Sequence, residues 1–140
     1  LRLFLDANIF LRAILGDMPE KAGDCLKLFQ LIDDRKHEAY TSMLALNETL
    51  WVLEGLEVPA EEIAARILAI ARSRVEILPS ANRDSVEEAM ELYGRQRVDF
   101  QDALNAITAR KAGVGMIISY DKHFDRIEFV ERREPDEVLD

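Results

Sequence analysis

Leu1-Arg2-Leu3-Phe4-Leu5-Asp6 and Gly115-Met116-Ile117-Ile118-Ser119-Tyr120-Asp121 share one form: a short apolar run that leads to an acid. Runs of that length with a polar stop fit buried strands. Outward from these two, the chain alternates helical and strand-like segments. Residues 8–15 read as a turn or two of helix. From Pro19 to about Asp33, the residues Ala22, Cys25, Leu26, Phe29 and Ile32 form a helical stripe. Glu38-Ala39-Tyr40-Thr41 reads as a short strand, and Ser42 can cap a helix from Met43 to about Glu54. Pro59 opens another helix with Ile63, Ile67 and Ile70 on one face. Val75-Glu76-Ile77-Leu78 alternates as a strand and stops at Pro79. Val86, Ala89, Met90 and Tyr93 mark the next helix. Asp99 can cap a helix that runs to about Lys111 and ends at Gly113. Phe129-Val130-Glu131 reads as an edge strand. This order predicts an α/β fold, three layers α/β/α around a central parallel sheet of four to five strands. Residues 1–140 read as one domain.

Apolar residues make up 49% of the 140-residue chain and charged residues 32%, a soluble globular composition. No apolar run approaches the roughly 20 residues that span a bilayer, so no membrane association is expected. Asp6 interrupts the first apolar run too early for a signal peptide. Cys25 is the only cysteine, which excludes an internal disulfide and fits a reducing, cytoplasmic location. A net charge of −9 excludes a protein that coats nucleic acid through its bulk field. It does not exclude a nuclease with a local carboxylate cluster neutralised by metal.

In parallel α/β sheets, sites lie beyond the carboxyl ends of the strands, near the switch in strand order. Asp6 and Asp121 each follow a strand. Glu48 sits in Met43–Leu53, a helix apolar nearly all round, where a carboxylate must point to water or to a partner. Asp99 and Asp102 share the first turn of their helix. Each of these acids also has a plain structural reading. Asp99 can be a cap, Asp102 can favour the positive helix end, and Glu48 can pair with an arginine. Acids that converge on one crevice need a compensating cation, which two carboxylate-bridged divalent ions would supply. Such a pair suits phosphodiester hydrolysis.

Leu3-Phe4-Leu5-Asp6-Ala7-Asn8-Ile9-Phe10 resembles the opening of the PIN-domain family, an apolar strand followed by Asp-x-Asn. Asn47-Glu48-Thr49-Leu50 resembles its helical glutamate block. Asp99-Phe100-Gln101-Asp102-Ala103-Leu104-Asn105-Ala106 resembles its third block, and Ile117-Ile118-Ser119-Tyr120-Asp121-Lys122-His123-Phe124-Asp125 its fourth. The blocks stand in family order and span residues 3 to 125. The resemblance implies a ribonuclease that cleaves RNA with metal-activated water, of the kind found as toxins in toxin–antitoxin pairs. It implies Mg²⁺ or Mn²⁺, as two ions, held by Asp6, Glu48, Asp102 and Asp121, with Asp99 as an extra acid. Asn8 and Ser119 would hold Asp6 or the water. A protein antitoxin and a homodimer follow from the same resemblance, the dimer forming near Trp51, Leu53, Ile63 and Ile67. Ala7 departs from the family, which often has Thr there.

Other chemistries fit less well. A haloacid-dehalogenase-like phosphatase would want an acid two residues after Asp6, where Asn8 stands. A receiver would want paired acids before its phosphorylated Asp. A catalytically inactive PIN-like RNA-binding module would not need all four acids. Neither His37 nor His123 has zinc spacing, and His123 reads as a loop residue packed by Phe124. Trp51, among Leu50, Val52 and Leu53, reads as core or dimer interface rather than a base-stacking group. Asp125 reads as solvated or capping. Arg12, Arg95, Arg97, Lys122 and Arg126 flank the acidic blocks and are candidates for RNA phosphates.

Overall fold

The structure is a computed structural model that describes residues 1–79 and 82–140. Five parallel strands form one sheet in the order β3-β2-β1-β4-β5. They are β1 (Arg2–Leu5), β2 (Glu38–Ser42), β3 (Val75–Leu78), β4 (Met116–Ile118) and β5 (Glu131–Arg133). Six helices connect them: α1 (Ala7–Leu15), α2 (Pro19–Asp33), α3 (Met43–Gly55), α4 (Ala60–Ala71), α5 (Arg83–Gln96) and α6 (Phe100–Lys111). Among the described residues, no helix is long and apolar enough to cross a membrane.

The two-residue period of the strands sorts their side chains into two cores. Phe4 and Ile117 point to one face, where α5 and α6 cover them with Ala89, Ala103, Ala106 and Ile107. Leu3, Leu5 and Ile118 point to the other, against Ile9, Phe10, Cys25, Leu28 and Ile32 of α1 and α2. Burial of β1 and β4 on both faces explains why each reads as an unbroken apolar run. A third cluster joins Leu11, Leu53 and Ile63 beneath α3 and α4. The chain builds β1, β2 and β3 outward in one direction, then returns to lay β4 and β5 on the other side of β1. The order therefore switches between β1 and β4, and a crevice opens at their carboxyl ends.

Several boundaries differ from the sequence reading, each for a local reason. The edge strand is Glu131–Arg133, two residues beyond Phe129-Val130, which pack onto the α5–α6 core instead. An edge strand tolerates charge, so its three charged residues give no apolar signal. On α5 the buried positions are Ser85 and Ala89, with Leu92 half-buried, while Val86, Met90 and Tyr93 face solvent. Small residues let α5 pack closely on α6, and a search for large apolar residues finds the wrong face. On α2, Leu28 is buried and Leu26 is exposed. Leu53 and Ile63 lie inside the chain's own third cluster and are not available to a second copy. Trp51 is not core: it is 72% exposed. Gly113 does end α6, with φ +75 in the left-handed region, and its carbonyl accepts from Arg2 Nη1 at 3.0 Å.

Candidate active site

Asp6 follows β1 and caps α1. Its Oδ1 accepts from the Ala7 amide at 2.8 Å. Its Oδ2 accepts from Ser119 Oγ at 2.7 Å and from Asn8 Nδ2 at 3.2 Å. Asn8 Nδ2 also donates to Ser119 Oγ at 3.1 Å, and Asn8 Oδ1 accepts from the Tyr120 amide at 3.3 Å. Ser119 Oγ accepts from the Asp121 amide at 3.0 Å. Ser119, which is fully buried, thus ties the end of β1 to the end of β4 and orients both acids that flank the crevice.

Asp102 enters from the first turn of α6 and is 8% exposed. One ligand atom each from Asp102, Asp121 and His123 lies within 4.8 Å of the other two. The sequence reads His123 as a loop residue packed by Phe124, with no second histidine or cysteine at zinc spacing. In the fold its ring is not packed away by Phe124. It is more than half exposed, and Nδ1 stands 3.3 Å from Asp121 Oδ1. The 3₁₀ turn over Lys122–Arg126, capped by Asp121, brings it back to the cluster.

Burial pushes the Asp102 carboxyl up to about 8, and Asp6 and Asp121 add repulsion. Glu48, half-buried on α3, is pushed up to about 7, first by burial and then by Asp6, Asp99 and Asp121. Asp6 is also raised, by burial against the opposing help of Ser119 and Ala7. Asp6, Asp99 and Asp121 thus act on both Glu48 and Asp102, although only Asp102, Asp121 and His123 form the tight group. Asp99 spends one oxygen as the cap of α6, accepting from the Gln101 amide at 2.8 Å, and adds its field to Glu48 and Asp102. No lysine or arginine pairs with Asp6, Glu48, Asp99, Asp102 or Asp121 among the described residues. Buried acids without a cationic partner are costly, and oxygen donors of this kind fit a hard divalent cation.

Arg132 is a residue that sequence reading missed. It stands on the edge strand, donates through Nη1 to the Ser119 carbonyl at 3.0 Å and through Nε to Asp125 Oδ1 at 2.9 Å, and pairs with Glu134 at 3.5 Å. It braces the segment that presents Asp121, and Asp125, solvated as expected with its side chain 54% exposed, is also its ion-pair partner. The charged tripeptide Glu131-Arg132-Arg133, unusual in a strand, was the available signal. Of the flanking cations, Arg12 pairs with Asp17 and Arg95 with Glu91. Arg97, Lys122 and Arg126 have no ion pair among the described residues.

The acids at the β1–β4 switch, with the serine between them, define a hydrolase-like acidic crevice on a five-stranded parallel sheet. The PIN domain family model matches residues 3–130, and the chain belongs to that family. It is 24% identical over 129 residues to a VapC ribonuclease of Aquifex aeolicus (strain VF5), covering 89% of this chain and 91% of that protein. The fold resembles that of Mycobacterium tuberculosis VapC20, described as a Sarcin-Ricin loop cleaving toxin, with TM-score 0.73 and 22% identity over 92% of this chain and 97% of that one. It also resembles a chain in the structure of VapBC2 from Rickettsia felis bound to a DNA fragment from their promoter. There the TM-score is 0.68 and the identity 20%, over 96% of this chain and 98% of that one.

Replacing Ser119 by Ala should weaken divalent-metal binding by about 10–100-fold, the usual effect of removing an outer hydrogen bond to a ligand. Mn²⁺ titration followed by electron paramagnetic resonance measures it. Unchanged affinity would mean that Ser119 does not orient Asp6 or Asp121 for metal.

Proposed function

We propose that the chain is a divalent-metal-dependent endoribonuclease and the toxin of a toxin–antitoxin pair. The observation that carries the reading is the group of raised, unpaired carboxylates at the strand switch. Membership of the PIN family and likeness to a VapC ribonuclease support RNA as the substrate. The likeness to VapC20 and to a chain in the VapBC2 structure supports the toxin role and a protein antitoxin.

In this reading Asp6, Glu48, Asp102 and Asp121 hold Mg²⁺ or Mn²⁺, with Asp99 as a further oxygen donor at the mouth and His123 as a nitrogen neighbour. When bound, two such ions supply Lewis acidity to the attacking water and to the leaving oxygen. The chain's own residues do the positioning. Ser119 and Asn8 fix the rotamer of Asp6, and the Ser119 hydroxyl holds the backbone of Asp121. Lys122, Arg126 and Arg97 meet the phosphates on either side. No side chain forms a covalent adduct: water adds to phosphorus as one P–O bond breaks. The phosphotransfer alternative loses its footing at Asn8, whose amide is committed to Asp6 and Ser119.

The test is cleavage of a panel of structured and single-stranded RNAs with Mg²⁺, with Mn²⁺ and with excess chelator. Cleavage only with metal supports the reading. Cleavage that survives the chelator overturns it, and binding without cleavage favours the inactive module. Self-association belongs to the same reading, through the apolar groove between α3 and α4 lined by Leu50, Val58, Ile67 and Leu68. A sedimentation experiment at micromolar concentration that finds only monomer would defeat it.

A further inference from the structure

The carboxyl edge of the sheet carries two serine–asparagine pairs. The register that sets Phe4 opposite Tyr40 continues to put Asp6 level with Ser42, one strand away. Thr41 Oγ1, donating to the Leu5 carbonyl at 2.9 Å, holds that alignment. Phe4, Tyr40 and Ile117 pack on the α6 side of the sheet, so the two-residue period turns Asp6, Ser42 and Ser119 toward α6 as well. Three polar side chains thus stand in a row across the ends of β2, β1 and β4. On one flank, Ser119 and Asn8 are spent on Asp6. On the other, Ser42 meets Asn105 of α6.

Asn105 is 1% exposed and stands among Ala103, Leu104, Ala106 and Ile107, where an amide is costly unless both its ends are used. Ser42 Oγ accepts from the Ala45 amide at 3.0 Å and lies 2.6 Å from Asn105 Oδ1. That distance suits O–H···O rather than N–H···O, so the hydroxyl donates and the oxygen end of the amide faces Ser42. Nδ2 is left buried with no acceptor among the described residues. Asp102 has the complementary deficit. It precedes Asn105 by three residues on the same helix, about 60° round and about 4.5 Å along it, a spacing at which side chains meet. Asp6, Asp99 and Asp121 each accept from a backbone amide, that of Ala7, Gln101 and His123 in turn. Asp102 accepts from no amide or hydroxyl among the described residues, and its neighbours in the crevice are Asp121 and His123.

We propose that Asn105 is a positioning residue for Asp102: with a divalent cation at the crevice, one Asp102 oxygen turns to the ion and the other accepts from Asn105 Nδ2. The inference rests on the metal-dependent reading above. Ser42 fixes which end of the amide is offered. The pair Ser42–Asn105 then does for Asp102 what Ser119 and Asn8 do for Asp6, holding the carboxylate to one orientation.

Two readouts test this without RNA. In the isotopically labelled parent, the Asn105 side-chain amide, assigned by through-bond correlation to its backbone, should move downfield and exchange more slowly with water when Mg²⁺ is added. In Asp102→Asn it should do neither. Mn²⁺ titration followed by electron paramagnetic resonance should find Asn105→Leu about 10–100-fold weaker than the parent, the usual effect of losing a hydrogen bond to a ligand. Ser42→Ala keeps the N–H donor, so it should cost less Mn²⁺ affinity than Asn105→Leu while lowering the melting temperature through the lost cap of α3. A purely structural Asn105 would lower the melting temperature and leave Mn²⁺ affinity alone. That result, or an amide signal in the parent that Mg²⁺ leaves unmoved, overturns the proposal. So does an equal loss of affinity in Ser42→Ala and Asn105→Leu, which would assign the effect to the packing of α3 on α6. Failure of the parent to bind Mn²⁺ at all would instead remove the metal reading beneath it.

Discussion

Asp102→Asn should lower RNA cleavage by more than about 100-fold while the fold stays intact. Removing an outer hydrogen bond to a metal ligand already costs about 10–100-fold, and under the proposed function an anionic ligand would be lost outright. Asp102 is buried, sits in the tight group with Asp121 and His123, and has no lysine or arginine partner among the described residues. Asn keeps the shape and keeps a polar group in the first turn of α6, so circular dichroism and melting should report a native helix content. Asp6→Asn should act similarly, with the added cost that Ser119 and Asn8 then face an amide where both now donate to a carboxylate. The measurement is single-turnover cleavage at saturating Mn²⁺. Retention of even a tenth of parental activity by Asp102→Asn would remove that acid from the catalytic centre.

The second large effect needs no substrate. In the metal-free chain, Asp102 and Glu48 hold protons up to about 8 and about 7, while in the unfolded chain they release them near the ordinary carboxylate range, about 4. The folded state thus binds more protons between those limits, and stability must fall as pH rises through about 4 to about 8. Below that window both states are protonated and the penalty vanishes; above it the penalty is complete. Asp102→Asn should flatten the decline and stabilise the metal-free fold above pH 7 by about 1 kcal/mol, or roughly 3 °C in melting temperature. Loss of the acid from the positive helix end offsets part of that gain. Mn²⁺ reverses the order. At about 100 times its dissociation constant it should stabilise the parent by about 2.7 kcal/mol, and the variant much less. Four melting curves decide it: parent and variant, each with chelator and with Mn²⁺. Equal shifts in both proteins, or none in either, would mean that the acids share no metal.

The central strands and the acids that follow them were legible because their signals are local. An apolar run that stops at Asp6 or Asp121 says both what is buried and where the chain leaves the sheet. Ser42 and Asp99 declared their helix starts in the same way, and both side chains accept from amides of the first turn. What escaped reading depends on partners distant in sequence. His123 has no second histidine at ligand spacing, yet a 3₁₀ turn brings it to Asp102, 21 positions earlier. Arg132 is one more surface charge until its guanidinium is seen on the Ser119 carbonyl. Trp51 stands among Leu50, Val52 and Leu53, and only the phase of α3 shows that it points outward. That phase is poorly defined by hydrophobicity, because the helix is apolar on nearly every side.

The strand order also fixes how late in synthesis the crevice can be completed. β1 is synthesised first and occupies the centre of the sheet, but its second neighbour, β4, lies more than a hundred residues later. Asp6 waits through α1 to α6 before Ser119 and Asp121 exist to complete the crevice. A ribosome-bound chain halted after α6 carries Asp6, Glu48 and Asp102 but lacks the segment that locks them together. Pairing across such a separation is slow, since the loop must close before the contact stabilises it. The crevice is therefore completed late, once most of the chain has been made.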